Sequence, residues 1–206
     1  MLKSIASDFT GSSDICRPVR DLSKATAATY LLPGETLHFA LQSSKEEFAF
    51  TNQAVIASVG DSATTTRRLV TRYEFKHALV HDVEYETAGR VDRDCEIKFR
   101  IGDKRISIDV AKDEEPTAHI YYKVLVLLAR AQHSNARNWE LAKTAIGHAA
   151  ESLRLSENSG YTLPRQSDEA LQWMQTLYEK YNPRCYRDVI NQAFQDVQTL
   201  AKMQLP

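Results

Sequence analysis

Apolar and polar side chains alternate in short runs between residues 35 and 110, and turn residues separate the runs. A period of two is typical of β-strands that bury one face, and short connections favour antiparallel neighbours. Seven strands are predicted, with the fifth at 83–86. The inward-facing sets of the other six are Leu37, Phe39 and Leu41; Phe48 and Phe50; Val55, Ala57 and Val59; Leu69, Thr71, Tyr73 and Phe75; Cys95, Ile97, Phe99 and Ile101; and Ile106, Ile108 and Val110.

A strongly apolar helix is predicted after the strands, at 116–132. Ile120, Val124 and Leu128 recur at helical spacing and form one wide stripe, as expected of a helix that seals a core. The apolar run is far shorter than the roughly 20 residues that a membrane-spanning helix needs, and Lys123 interrupts it. Strands and helix together predict an α+β fold: a seven-stranded antiparallel barrel or sandwich, capped by a C-terminal helix and followed by a small helical region.

The charge balance and the cysteines limit the classes of protein to which this chain can belong. Lys and Arg total 26 against 27 acidic residues, so the basic excess of nucleic-acid-binding domains is missing. Cys16, Cys95 and Cys185 form no C-x-x-C pair, which argues against a disulfide framework and a cysteine zinc site. The first ten residues hold no sustained apolar core, so no secretory signal peptide is expected. These features favour a cytoplasmic protein, with a nuclear location as the alternative, and no nucleic-acid partner is expected.

The segments outside the strands carry other patterns. Residues 1–19 show little periodicity and are predicted to form a loose arm, whereas 21–32 are predicted to form a short helix. The polar residues 133–138 are expected to form a linker. The predicted organisation is a loose arm (1–19), a strand-and-helix domain (20–133) and a helical region (134–206).

Three amphipathic helices are predicted in the helical region. Their apolar residues recur at three- and four-residue spacing, and the last helix is expected to begin at an Asn-Pro pair at 182–183. Such stripes bury against other helices, and tryptophan is a residue type that dominates protein interfaces. The stripes therefore predict either a core between helices of one chain or an oligomer interface. The candidate interface residues are Trp139, Ile146, Leu153, Trp173 and Leu177.

Five short motifs occur in order between residues 20 and 132. They are LLPGE at 31–35, FAFTN at 48–52, VTRY at 70–73, TAGRVD at 87–92 and CEIKF at 95–99. In this order they resemble the bacterial pleckstrin-homology (PH-like) domain family of the YvbH type. The resemblance implies a PH-like fold, no known enzymatic activity and a tendency to form ring-like oligomers. The predicted helices after residue 134 also resemble, in placement, the helical oligomerisation region of such proteins.

Candidate ligand-binding residues are basic side chains on the predicted strands. Membrane-binding PH domains typically hold phosphoinositide head groups with several cations around the first hairpin, but here Lys45 is followed by Glu46 and Glu47. This departure counts against a membrane-lipid partner without excluding one. A second set of basic residues lies on other predicted strands: Arg67, Arg68, Arg72, Lys104 and Arg105. These residues form a binding patch if folding brings them together. Otherwise they are solvated or paired with acidic residues on neighbouring strands.

No motif in the sequence indicates catalysis. The Ser, His and Asp residues lack a G-x-S-x-G framework, the phosphate-binding glycine loops are missing, and His77 and His81 precede a strand, so no catalytic, cofactor or metal site is predicted. The leading hypothesis is a non-enzymatic scaffold or binding module that assembles into a homo-oligomer through its helical region, with a protein partner left open. The alternative is a peripheral adaptor for anionic membrane lipids that uses the basic set.

Overall fold

The computed structural model of the chain describes residues 14–61, 66–89, 93–152 and 163–203, with side chains up to 148 in the third range and from 165 in the fourth. The strands are β1 (Arg17–Pro18), β2 (Leu37–Gln42), β3 (Glu46–Thr51), β4 (Ala54–Gly60), β5 (Arg68–Glu74), β6 (Val80–Glu86), β7 (Asp94–Ile101) and β8 (Lys104–Ala111). The α-helices are α1 (Glu115–Ser152), α2 (Leu163–Tyr181) and α3 (Arg187–Met203), and 3-10 helices occupy Leu22–Lys24, Thr26–Tyr30 and Lys112–Glu114.

The strands form two antiparallel sheets. Strands β1 to β5 lie in chain order in one sheet, and β6, β7 and β8 form the other. Of the two predicted arrangements, the structure therefore has the sandwich and not the closed barrel. The alternation on β7 and β8 is confirmed, because every inward residue predicted there is buried.

The N-terminal segment joins the two sheets. Cys16 forms a parallel bridge with Val110 of β8, where its N–H donates to the carbonyl of Asp109 at 2.7 Å. The next two residues form β1, which pairs with β2 in the other sheet. Residues 16–18 thus differ from the loose arm predicted for 1–19, since a two-residue strand contains too little alternation to be recognised. Residues 1–13 of that arm lie outside the described residues.

The core is organised around the ring of Phe39. It stacks on Phe50 of the neighbouring strand and on Tyr121 of α1, with ring centroids 4.3 Å apart in both cases. Phe194 of α3 meets it edge-on at 5.8 Å, and Phe50 reaches Phe99 of the second sheet at 5.8 Å. Aromatic pairs of this kind contribute about 0.5–1.5 kcal/mol each beyond the area that they bury. Two sheets and two helices are therefore joined at one place.

Three apolar residues that were predicted to face inward, Leu37, Val59 and Leu69, lie outside the main core. Val59, near the end of β4, pairs with Leu69 and is 37% exposed. Leu37 contributes to a smaller second cluster because a bulge between Leu37 and Phe39 shifts the register of β2. A shift of one residue turns a side chain to the opposite face of a sheet. Leu69 is 72% exposed because β5 is the edge strand of its sheet, while Phe75 just after β5 is buried as predicted.

The predicted helix at 21–32 is present as two 3-10 helices. Ala25 between them has an extended backbone (φ −63°, ψ 141°), which interrupts the helical path. The buried carboxylate of Glu47 accepts hydrogen bonds from the N–H groups of Thr26 and Ala27 at 2.8 and 2.7 Å. A strand side chain thus caps the second 3-10 helix, and sequence periodicity gives no sign of such a long-range cap.

The chain divides into two compact units: the sheet unit, Met1–Arg130 with Arg184–Pro206, and the helical unit, Ala131–Pro183. The predicted linker at 133–138 is helical, because it contains no Gly or Pro and α1 continues through it. The predicted helical region 134–206 is divided between the units. Its last helix belongs to the sheet unit, where Ile190, Ala193 and Val197 are buried.

Glu35 of the LLPGE motif ties the segment before β2 to β3 and β5. Its carboxylate accepts hydrogen bonds from the Leu32 N–H at 2.9 Å, from Arg72 Nη1 at 2.9 Å and from the Thr51 hydroxyl. Burial raises the pKa of Glu35, but these three donors outweigh burial and hold the pKa below its usual value. The carboxylate therefore stays charged and fixes the connection between motif and sheet.

Asn52 of the FAFTN motif attaches the segment that leads into α3. Its side-chain oxygen accepts from the Thr36 N–H at 2.8 Å, and its amide nitrogen contacts the Cys185 sulfur at 3.1 Å. Its main-chain oxygen accepts from the Tyr186 N–H at 2.7 Å. Asn52 itself is fully buried, so its polar groups need these partners in place of water. One residue of a sequence motif thus attaches the segment that leads into the C-terminal helix.

Acidic side chains meet where the N-terminal segment crosses between the sheets. The pKa of Glu46 is raised to about 7, mainly by burial and also by the nearby Asp14 and Asp109, against the opposite effect of Lys45. Burial likewise raises the pKa of Asp109 to about 6, with Glu96, Asp94 and Asp14 acting in the same direction and Lys98 opposing them. These carboxyl groups retain their protons to higher pH in the folded chain than in the unfolded chain.

Replacing a buried residue of α3 tests the assignment of this helix to the sheet unit. Ile190→Ala should lower the free energy of unfolding by about 2–4 kcal/mol, because it leaves a cavity in a packed core, whereas Leu200→Ala on the exposed side of the same helix should change it by less than about 0.5 kcal/mol. Chemical denaturation of both variants measures this difference. Equal losses of stability in the two variants would contradict packing of α3 on its own chain. So would a loss in Ile190→Ala that depends on protein concentration, because it would indicate packing between chains.

The acidic cluster predicts a pH dependence of stability. Because the folded carboxyl of Glu46 binds its proton more tightly than the unfolded one, its contribution to the free energy of unfolding falls as pH rises towards about 7 and above it. Glu46→Gln should therefore flatten the decline in stability between weakly acidic and neutral pH. Glu35, whose pKa is lowered, acts in the opposite direction and at lower pH. Denaturant midpoints of both proteins, measured across this pH range, would reveal the change. If stability declined with pH equally steeply in Glu46→Gln and in the wild-type chain, the prediction would be refuted.

Candidate functional site

The predicted basic set was the first candidate site, and three of its members lie on or beside β5. Arg68 donates to the carbonyls of Lys45 and Ser44 at 3.1 and 3.0 Å, and so holds the β2–β3 hairpin. Arg72 contacts Glu35 at 2.9 Å and Glu74 at 3.1 Å. Arg67 precedes the strand and is exposed. Arg68 and Arg72 therefore serve contacts within the sheet unit.

The other two members lie in the second sheet, at the start of β8. Lys104 is exposed and pairs across the hairpin with Ile101. Arg105 is also exposed, and its guanidinium lies 3.6 Å from the carboxylate of Glu84 on β6. The five basic residues thus lie on or beside strands of two different sheets, and Arg68, Arg72 and Arg105 contact different carbonyl or acidic partners.

The helical unit is the second candidate, because four of its large apolar side chains are exposed. The exposed fractions are 58% for Leu141, 58% for Leu171, 53% for Trp173 and 40% for Tyr178. Of the predicted interface residues, Trp173 is in this set, whereas Trp139, Ile146 and Leu177 are half-buried. Leu153 lies outside the described residues.

Sequence reasoning did not single out Leu141, Leu171 and Tyr178 as interface candidates. Leu171 and Tyr178 are seven residues apart, the spacing at which two residues return to the same side of a helix. Periodicity places them on an apolar stripe, but only their exposure distinguishes an open surface from an internal core.

The apolar surface of α2 is wider than one neighbouring helix covers. At 100° per residue, the positions from Trp173 through Leu177 and Tyr181 to Leu171 span an arc of about 160°. A stripe of about 100° is sufficient for packing against one partner. Part of the apolar arc is therefore available for another surface.

A groove lies beside this arc within the helical unit. Its volume is about 410 Å³, and it is lined by Trp139, Met174, Gln175, Tyr178 and Glu179. The rings of Trp139 and Tyr178 meet edge-on, with centroids 5.3 Å apart. Lys143 lies 5.7 Å from the centre of the Trp139 ring and 2.8 Å from Glu140. The groove combines an aromatic wall with a charged rim, which is a common composition of protein interfaces.

The described part of the chain contains neither a cluster of metal ligands nor a membrane-spanning helix. Within residues 14–61, 66–89, 93–152 and 163–203, no three His, Cys, Asp or Glu side chains are placed to hold a metal ion. His77 and His81 have separate neighbours, since His77 lies 3.8 Å from Glu74 and His81 lies 3.1 Å from Asp82. None of the helices in the same ranges is long and apolar enough to span a membrane.

Comparisons with known proteins agree with this fold. A model of the bacterial PH domain family matches residues 12–128, more than half of the chain. The uncharacterised protein YvbH of Bacillus subtilis (strain 168) is 30% identical over 197 residues, which cover 92% of this chain and 97% of that protein.

A solved structure extends the comparison over both units. The crystal structure of a PH-domain-containing bacterial protein from Exiguobacterium sibiricum 255-15 is 32% identical, covers 88% of this chain and 100% of its own, and gives a TM-score of 0.80. The family match, the identity to YvbH and this structural similarity agree with the two sheets and following helices described above. This chain belongs to the bacterial PH domain family.

Proposed function

We propose that this chain is a non-enzymatic PH-like scaffold or binding module that self-associates through its helical unit, in a cytoplasmic setting and as a ring-like homo-oligomer. The observation that supports this proposal most directly is the exposure of Leu141, Leu171, Trp173 and Tyr178. Large apolar side chains on an amphipathic helix are stabilised by burial, at about 25 cal/mol per Å² of apolar surface. A second copy of the chain is the partner that is always available at matching concentration.

The sheet unit and the helical unit then have different roles. The sheet unit has a core that includes Ile190 and Ala193 of α3. The helical unit consists of the second half of α1 together with α2, and a pair of helices buries little surface alone. Association of helical units would cover the apolar arc of α2. The free cysteines Cys16, Cys95 and Cys185 fit a reducing compartment.

The lipid-adaptor alternative has less support. Arg68 and Arg72 hold internal contacts, and Arg105 lies beside Glu84. A membrane surface attracts clustered cations that are not already neutralised. Sedimentation with anionic liposomes at low salt tests this alternative, and binding that Arg67→Gln and Lys104→Gln together abolish would restore it.

Charge substitutions on α2 test self-association. The double variant Leu171→Glu with Trp173→Glu places two carboxylates on the apolar arc, where their burial would be unfavourable, so it should shift an oligomer to the monomer. Light scattering coupled to size-exclusion chromatography measures the mass at tens of micromolar.

Gln172→Glu is the matched control. Gln172 lies on the same helix, opposite the centre of the arc, and is exposed. We expect this variant to remain associated. A wild-type chain that is monomeric throughout, or a control that dissociates as readily as the double variant, would refute the proposal. Deleting residues 134–206 is a poorer test, because it also removes the buried residues of α3.

A further inference from the structure

A small depression opens on the outer face of the three-stranded sheet, where β6 departs from regular pairing. The register of β6 against β7 shifts between His81 and Glu84, and Asp82 has a left-handed backbone with φ of +49°. Bulges and left-handed non-glycine residues both cost free energy and occur often at binding sites. The depression measures about 210 Å³ and is lined by Asp82, Val83, Glu84, Lys98, Arg100 and Arg105. We call it the bulge depression.

Two arginines face each other across this depression. Arg100 of β7 and Arg105 of β8 are direct cross-strand partners. Like charges directly opposite each other destabilise a sheet, unless something between them compensates the charge. A bound anion would provide such compensation. The short turn at Gly102–Asp103 sets the register of β7 and β8, and this register places Arg100 opposite Arg105.

Arg100 also has hydrogen-bonding capacity left over. Its Nη2 donates to the carbonyl of Asp103 at 3.2 Å, which anchors the side chain near the turn. Its Nε is buried, and no described residue accepts a hydrogen bond from it. A buried donor without an acceptor is rare in folded proteins, and a ligand is one of its recognised explanations.

The neighbouring charges are held with unequal strength. Lys98 lies 2.7 Å from both Glu86 and Glu96 and is therefore neutralised. The contact between Arg105 and Glu84 is longer, at 3.6 Å, and joins two exposed side chains. Such exposed pairs contribute little to stability. Arg105 can thus exchange Glu84 for another anion without loss of a strong contact.

We propose that the bulge depression binds a small oxyanion, of the phosphate monoester class, between the guanidinium groups of Arg100 and Arg105. Guanidinium groups offer parallel N–H donors that match the oxygens of a phosphate. The volume of about 210 Å³ is below the roughly 300–1,000 Å³ of drug-sized sites, so the site takes a small group. Glu84 competes with the anion for Arg105. This inference does not depend on self-association through the helical unit.

Calorimetric titration of the full chain with glycerol 3-phosphate, at ionic strength held constant with potassium chloride, tests the site. We expect saturable binding in the millimolar range. Arg100→Gln and Arg105→Gln should each weaken it about tenfold, because each removes charge-assisted hydrogen bonds. Glu84→Gln should strengthen binding, since it removes the competitor. Loss of an acidic charge would also strengthen unspecific attraction of an anion, so the distinction from a basic surface comes from a matched loss of positive charge outside the depression.

Lys104→Gln is the matched control, because it removes the same charge from the neighbouring position of the hairpin but from a residue that does not line the depression. Its affinity should equal that of the wild-type chain. The proposal is overturned if the wild-type chain shows no saturable binding. It is also overturned if Lys104→Gln weakens binding as much as Arg100→Gln and Arg105→Gln do. If Arg100→Gln does not fold, as judged by circular dichroism, Arg105→Gln and Glu84→Gln carry the test.

A second measurement separates the two sources of a phosphate monoester. Flotation with vesicles that contain phosphatidic acid shows whether a lipid head group reaches the site. Vesicle binding that depends on Arg100, together with binding of glycerol 3-phosphate, assigns a lipid source. Binding of glycerol 3-phosphate without vesicle binding assigns a free phosphorylated molecule. Vesicle binding that persists in Arg100→Gln, with no binding of glycerol 3-phosphate, would overturn the site.

Discussion

The stacking of Phe39 on Phe50 is the contact on which the rest of the sheet unit depends. The two residues are direct partners on β2 and β3, and their rings extend the contact to α1, α3 and the second sheet. Because two sheets and two helices meet at adjacent rings, none of them can be removed without exposing aromatic surface. This explains why α3, although distant in sequence, belongs to the sheet unit.

Buried polar side chains determine where the connecting segments run. Glu47 caps a 3-10 helix, Glu35 fixes the segment before β2, and Asn52 holds the entry to α3. Each of the three is nearly or fully buried and satisfied by hydrogen bonds, an arrangement that specifies one geometry because alternatives would leave unpaired groups. The short motifs that carry the family resemblance thus have an architectural role in this structure.

The distribution of charge and apolar surface separates possible functions between the units. In the sheet unit, Arg68 and Arg72 support the fold, while Arg100 and Arg105 face a depression. In the helical unit, the apolar residues of α2 are more exposed than a single pair of helices requires. The proposed small-ligand site on the sheet and the proposed association surface on the helices are compatible, because they use different residues.

Much of the fold was predictable from local patterns. The alternation on β7 and β8 and the apolar stripe of α1 both matched the structure. An element that buries one face carries its apolar residues at a regular spacing, which can be recognised in the sequence. The candidate sites were less predictable. Arg67, Arg68, Arg72, Lys104 and Arg105 share a charge, but sequence does not reveal that carbonyls or carboxylates already engage Arg68, Arg72 and Arg105.

By itself, the sequence determined the number of main strands, the inward faces of most of them and the helix that seals the core, since each depends on neighbours within a few residues. Only the tertiary structure decided that Cys16 bridges the sheets, that α3 returns to Phe39 and that Arg100 opposes Arg105 beside a bulge. These features join residues that are distant in sequence, or they depend on a shift in strand register. The spacing of apolar residues along the chain indicates neither long-range contacts nor register shifts.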